Sequence, residues 1–162
     1  MQRLDNDRWG FESNCFVCEA RNEAGLQIPF FHDPTSDEVV AELKLDERFS
    51  GAPSYVHGGV VLAVLDEAMA WATIAVAGSF AVTQEITTRF DRPVRVSAPH
   101  RVRARVTNRS DNELTCEAEV IDASGHACAT ARASFVPLGP AQAADAIGAE
   151  LTSDDSAYLR DE

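Results

Sequence analysis

His57, Gly58 and Gly59, followed by Asp66 and Glu67, are the residues of this chain best suited to chemistry. A histidine and two glycines that open a helix present unpaired backbone N–H groups, with roughly half a positive charge behind them. Glycine also lets a ligand or another backbone come close. Such a place can hold a negatively charged oxygen, for instance the one that develops on a carbonyl under attack. Ordinary packing uses glycines at helix starts too, so the three residues alone decide nothing. A carboxylate supplies the complementary half of a hydrolysis, as nucleophile or as the base that activates water. Asp66 lies nine residues after His57. On a helix that is about 13 Å along the axis, and at about 100° per residue the two point to opposite sides. One helix cannot bring both to a single carbonyl carbon. A catalytic reading therefore requires two chains in a symmetric dimer, with two equivalent sites across its interface. Glu67 faces about 100° away from Asp66. It is the alternative acid, or a structural partner for an arginine.

The element that must position these groups is Tyr55–Ala77, YVHGGVVLAVLDEAMAWATIAVA, in which Asp66, Glu67 and Thr73 interrupt an otherwise apolar run after the glycines. Ala and Leu are abundant and no Pro intervenes, so the stretch reads as a helix. A helix apolar around most of its circumference either spans a membrane or is wrapped by protein. Two central carboxylates would each cost roughly 2.5–3.5 kcal/mol in a bilayer. A core helix is expected.

The rest of the chain must cover it. At 162 residues, 45% hydrophobic and 25% charged, the composition is that of one soluble domain with a real core. The net charge of −12 argues against nucleic acid as a partner. Even so, residues 89–109 hold seven arginines against one aspartate, so a local anion site is compatible with an acidic protein. The polar start, MQRLDNDRWGFESN, lacks the layout of a signal peptide. Cysteines 15, 18, 116 and 128 do not resemble a disulfide framework, and a reducing cytoplasmic location is expected. Cys15-Phe-Val-Cys18 could suggest zinc or redox chemistry, but zinc normally takes four ligands and no second pair stands at suitable spacing. The pair is read as structural thiols, with no metal and no cofactor expected.

Residues 1–14 carry no pattern and read as an N-terminal extension. Leu26–Phe31 and Glu38–Asp46 read as strands joined by a turn at His32–Ser36. Phe49–Ser54 is a loop. After Gly78, strands are expected at Ala81–Phe90, Arg101–Asn108, Leu114–Asp122 and His126–Pro137, with hairpin-like connections and antiparallel pairing. The fold class is α+β, an antiparallel sheet of about five to six strands wrapped around one long central helix. The domain is placed at residues 15–138, and residues 139–162 read as a tail with a short helix at Ala141–Leu151.

Three segments carry a resemblance: Cys15–Leu26 (CFVCEARNEAGL), Val56–Ala72 (VHGGVVLAVLDEAMAWA) and Thr83–Val94 (TQEITTRFDRPV). Together they resemble the hotdog-fold acyl-CoA thioesterases, in particular the group related to phenylacetate-pathway thioesterases, over most of residues 15–137. The resemblance implies hydrolysis of an acyl-CoA thioester to free acid and CoA. It makes Gly58 the backbone donor that polarises the carbonyl, with Gly59 beside it and His57 supporting the loop. It makes Asp66 of the partner chain the nucleophile or general base, and Thr83 the residue that orients the water or the carboxylate. Gly51 departs from many relatives, which carry Asn or Gln six residues before the histidine as a further donor. Coenzyme A, here part of the substrate, brings phosphates for which Arg89, Arg92, Arg95, Arg101 and Arg103 are candidates, Arg92 first among them. Val60, Ala63, Met69, Ala70 and Phe90 are candidates to line an acyl slot. The expected assembly is a homodimer, and two such dimers in a homotetramer, with no membrane partner. The alternative is a non-catalytic acyl-CoA binding or sensing module on the same fold, which the missing amide at Gly51 would suit. A hydratase is a weaker alternative, since it would want an Asp and a His converging on one side.

Overall fold

The computed structural model describes residues 1–9 and 12–148. Strands β1 (Gln2–Leu4), β2 (Phe30–Asp33) and β3 (Glu38–Leu43) precede a long helix, α1 (Gly58–Ala75). Strands β4 (Ala81–Phe90), β5 (His100–Arg109), β6 (Leu114–Asp122) and β7 (Ala127–Pro137) follow, then a short helix α2 (Pro140–Ile147). The seven strands form one sheet in the order β1-β2-β3-β5-β6-β7-β4, and every pairing is antiparallel. This is the expected α+β layout around a central helix, with one strand more than expected.

Alternation along the strands explains why the sheet wraps α1. On β5, Val102 and Ala104 are buried and Arg101, Arg103 and Arg105 are exposed. On β7, the alternating buried residues are Ala129, Ala131, Ala133, Phe135 and Pro137. Three alanines in a row on the inner face leave room for a helix to lie close. The buried side of α1 answers with Val61, Val64, Leu65, Ala68, Met69 and Ala72, all in the same core cluster. The helix is long and apolar enough to cross a membrane by length and composition. Here it lies along the sheet, in contact with β2 through β7.

Four expectations are corrected. The N-terminal extension is not outside the sheet: Gln2–Leu4 pairs with Phe30–His32, and Leu4 joins the core. The strand expected at Leu26–Phe31 begins only at Phe30. Leu26 and Ile28 donate instead to the carbonyls of Phe16 (2.6 Å) and Val17 (2.9 Å), and Gln27 between them has a left-handed φ of 53°. The link from β4 to β5 is not a hairpin, because β4 pairs with β7 and β5 with β3. Its middle is tied to the approach to α1, where Val56 N–H donates to Val94 O (2.8 Å) and Val96 N–H to Ser54 O (3.1 Å). The tail is also partly docked, since Ala143 of α2 is buried. That helix stops at Gly148, whose φ of 75° suits glycine, and the expected stretch at 149–151 lies outside the described residues.

Candidate active site

The loop before α1 is a tight excursion. Gly51 N–H donates to Tyr55 O (3.0 Å) and His57 N–H to Phe49 O (2.8 Å), which sets Gly51 against His57. A Cβ on Gly51 would stand 3.3 Å from both Cα and Cδ2 of His57. The glycine where relatives carry an amide therefore makes room for the histidine ring. His57 is the N-cap of α1, and its Nδ1 accepts the Gly59 N–H at 2.9 Å. That bond commits Gly59. Gly58 N–H, the first of the helix, makes no hydrogen bond among the described residues. His57, Gly58 and Gly59 are all exposed.

Residues distant in sequence gather at this end of α1. The Phe90 ring lies over Gly58, 3.8 Å from where a Cβ would be, and is 53% exposed. Arg95 pairs with Tyr55 in an isolated bridge and its guanidinium stands 5.6 Å from the Tyr55 ring. Among the described residues Arg92 has no carboxylate partner. The other arginine candidates do have one. Arg89 holds Asp91 at 2.7 Å, Arg101 faces Glu42 at 3.7 Å, and Arg103 pairs with Glu119. Arg101, Arg103 and Arg105 form a charged ladder on the outer face of the sheet, away from α1. The seven arginines are thus not one anion site. Of the five candidates, Arg92 and Arg95 have no carboxylate partner among the described residues, and Arg95 lies against Tyr55 on the approach to the helix.

Asp66 sits midway along α1, half-buried, and accepts a hydrogen bond from Thr83 Oγ1 at 2.7 Å. A bulge makes this possible. Along β4 the register shifts between Thr83 and Glu85, so Gln84 is extra. Without it, Thr83 would face away from Ile86, Thr88 and Phe90, which are odd-numbered steps from it. With it, Thr83 stands opposite Phe135, as Ile86 does opposite Ala133, Thr88 opposite Ala131 and Phe90 opposite Ala129, all buried inward-facing residues of β7. Thr88 Oγ1 is buried on that same face with no hydrogen-bond partner among the described residues. Sequence reading passed over it; only the bulge reveals which threonines of β4 turn inward.

From Gly58 to Asp66 the unbroken helix rises about 12 Å. Within one chain they do not meet. Gly59, Leu62, Asp66 and Ala70 recur at three and four residues and share a helix face. Leu62, Asp66 and Ala70 on it are half-buried, as are Val60 and Ala63 nearby. Met69 is different. It is fully buried in the core against the sheet, which removes it from any open acyl slot.

Glu67 turns the other way. Its carboxylate and the sulfurs of Cys15 and Cys18 all lie within 4.8 Å of one another, each residue half-buried. Burial pushes the Glu67 carboxyl up to about 8. The Cys18 thiol, hydrogen-bonded to Cys15, holds Cys15 well below the ordinary thiol range, while that same bond holds Cys18 well above it.

Comparison with known proteins bears on the fold that carries these residues. Residues 54–129 match the thioesterase superfamily model. A solved structure described as a thioesterase superfamily protein aligns with a TM-score of 0.73 at 23% identity, over 80% of this chain and 64% of its own. The chain therefore spans under two thirds of that protein's length. The PaaI protein of the E. coli phenylacetic acid degradation operon aligns with a TM-score of 0.59 at 20% identity, over 63% of this chain and 73% of its own. A Streptococcus mutans protein, solved bound to acetyl-CoA, aligns with a TM-score of 0.60 at 15% identity, over 63% of this chain and 82% of its own. At these identities the likeness is one of fold. No curated protein sequence matches the chain.

Proposed function

We propose that the protein is a thioesterase of the hotdog fold that hydrolyses acyl-CoA thioesters, a reading supported by the match of residues 54–129 to the thioesterase superfamily model and by a fold shared with a solved thioesterase superfamily protein. The observation that carries the reading is Asp66, a half-buried carboxylate on the central helix with its oxygen held at 2.7 Å by Thr83. In the proposed reaction Gly58 N–H of one chain donates to the thioester oxygen. Asp66 of the other chain attacks the carbonyl carbon, or takes a proton from the water that does. The C–S bond breaks as negative charge on oxygen collapses, and coenzyme A leaves as its thiolate. The thiolate takes the proton that Asp66 drew from water or, where Asp66 attacked directly, a proton from solvent. In that second case water then cleaves the acyl–Asp66 anhydride to the free acid. His57 keeps the Gly58–Gly59 turn in shape through its bond to Gly59.

Two surfaces support assembly as a homodimer. The ten-residue edge strand β4 pairs on one side only, and it exposes Val82 (43%) as well as Phe90. Edges of that length are seldom left bare. The half-buried Asp66 face of α1 is the second. Covering both with another copy would bring a second Gly58 toward Asp66. A homotetramer built of two such dimers is part of the proposal. Arg92 is the proposed contact for the coenzyme A phosphates, two residues along the chain from Phe90, which lies over the Gly58 end of a helix that itself favours anions. A cytoplasmic location is part of the proposal, supported by four cysteines whose spacing does not resemble a disulfide framework.

The test is a panel of acyl-CoAs incubated with purified protein and a thiol reagent, with a sizing measurement alongside. Release of coenzyme A by a species of at least two chains is expected. Tight acyl-CoA binding without release would replace the enzyme by a non-catalytic binding module, the reading that the Gly51 departure favours. A strictly monomeric yet active protein would remove the two-chain site.

A further inference from the structure

The Cys-x-x-Cys pair has a third partner that spacing could not reveal. The loop that carries it is built before any ligand arrives. Val17 is buried, Leu26 and Ile28 donate to the carbonyls of Phe16 and Val17, and Gly25 packs so tightly that a Cβ would come within 2.5 Å of Phe16 O. Val17 N–H points at Cys15 Sγ at 3.4 Å, a contact that favours the thiolate. Onto this fixed loop α1 directs Glu67, giving three donor atoms from segments about fifty residues apart within 4.8 Å. Among the described residues no Arg, Lys or His forms an ion pair with Glu67. The neighbouring Glu19 is different, being held by Arg21 at 2.8 Å. Three groups that all become anionic on losing a proton thus share a half-buried pocket in which, among the described residues, none of them has an ion-pair partner.

We propose that Cys15, Cys18 and Glu67 form a binding site for a thiolate-seeking divalent cation, zinc foremost, which fastens the N-terminal loop to α1 one residue from Asp66. Two sulfurs and one carboxylate oxygen are a donor set that zinc accepts and that magnesium or calcium does not. A tetrahedral zinc with Zn–S of about 2.3 Å keeps its sulfurs about 3.8 Å apart, within the present envelope. Binding forms two metal–sulfur bonds and one metal–oxygen bond and releases to solvent the protons those groups carried. The fourth position goes to water. A disulfide between Cys15 and Cys18 is the competing use of the pair. Glu67 argues against it, since a third donor atom within 4.8 Å of both sulfurs has no part in a disulfide but completes a cation site. The proposal does not depend on the hydrolytic reading.

The experiment is a titration of the reduced, chelator-treated full chain with zinc against a chromophoric competitor, and a parallel titration with cobalt read by absorbance. Expected are one zinc per chain and, with cobalt, a thiolate-to-metal charge-transfer band with tetrahedral visible bands. Cys18→Ser should weaken binding at least about 100-fold and abolish the charge-transfer band, since losing even an outer partner of a metal ligand costs about 10–100-fold. Glu67→Gln, which keeps the side-chain volume, should weaken zinc at least about tenfold while leaving the band in place. Circular dichroism of each variant checks that it folds. Failure of the folded wild-type chain to bind zinc, or zinc affinity indifferent to both substitutions, would overturn the site. So would free-thiol counting that finds a reversible Cys15–Cys18 disulfide with no metal uptake after reduction.

Discussion

Asp66 and Glu67 are neighbours with the same functional group, and the fold gives them opposite surroundings. Asp66 faces the open edge of the sheet, with a threonine hydroxyl on one oxygen and a half-covered helix face around it. Glu67, about 100° around the helix, faces a prebuilt loop and two sulfurs. One is presented to a half-covered face of the helix. The other is turned into the chain. A single residue step on a helix is enough to separate the proposed chemistry from the proposed anchoring, because what covers each direction comes from different parts of the sequence: β4 on one side, residues 15–28 on the other.

The largest expected effect is at Asp66. Asp66→Asn should lower kcat for acyl-CoA hydrolysis by about 10²–10⁴-fold, the range for a positioned acid or base, with secondary structure and assembly state unchanged. Turnover at the wild-type rate in that variant would take Asp66 out of the mechanism and leave the comparison without its first half. The next effect belongs to the other carboxylate. At free zinc about 100 times its Kd, the folded state should gain about 2.7 kcal/mol, or roughly 5–10 °C in Tm for a chain of this size. Cys18→Ser should lose that gain, while Asp66→Asn should keep it. A thermal shift that follows Asp66 instead would merge the two surroundings into one site.

How much of this contrast the sequence carried depends on distance along the chain. The helix, its start at Gly58 and strands β4, β6 and β7 were legible because apolar periodicity and turn residues are local signals. The opposite directions of His57 and Asp66 followed from helix geometry alone. The bulge at Gln84 was not legible, since strict alternation would have turned Thr83 outward; only the register against β7 reverses it. Nor was the strand at Gln2–Leu4, three residues whose place is set by Phe30–His32. The third partner of the Cys-x-x-Cys pair was hidden for the same reason. Zinc spacings in sequence describe ligands on one loop, whereas Glu67 arrives from a helix. The arginines show the converse error. Clustered in sequence, they alternate across a sheet, and all but Arg92 and Arg95 of the five candidates are taken by carboxylates.

Thr83 tests whether Asp66 is held or merely nearby. Thr83→Val keeps the shape and removes the donor at 2.7 Å, so kcat should fall about tenfold with KM little changed, and Thr83→Ser should restore most of it. Because the hydroxyl acts through the carboxylate, the loss should vanish when Thr83→Val is made in an Asp66→Asn background. A full tenfold loss in both backgrounds would mean that the hydroxyl touches water or substrate directly.

The smallest effect is expected where the two surroundings touch, along the one peptide that joins them. Glu67→Gln should lower kcat by less than about tenfold, through loosening of the loop rather than loss of a reacting group. If the effect is transmitted by the anchor, then Cys18→Ser should reproduce it and the double variant should be no worse than either single one, since both remove the same fastening. If Glu67 itself took part in hydrolysis, Glu67→Gln would approach the loss seen in Asp66→Asn, and Cys18→Ser would not. The order of those three rate constants therefore decides whether adjacent carboxylates on this helix serve two purposes or share one.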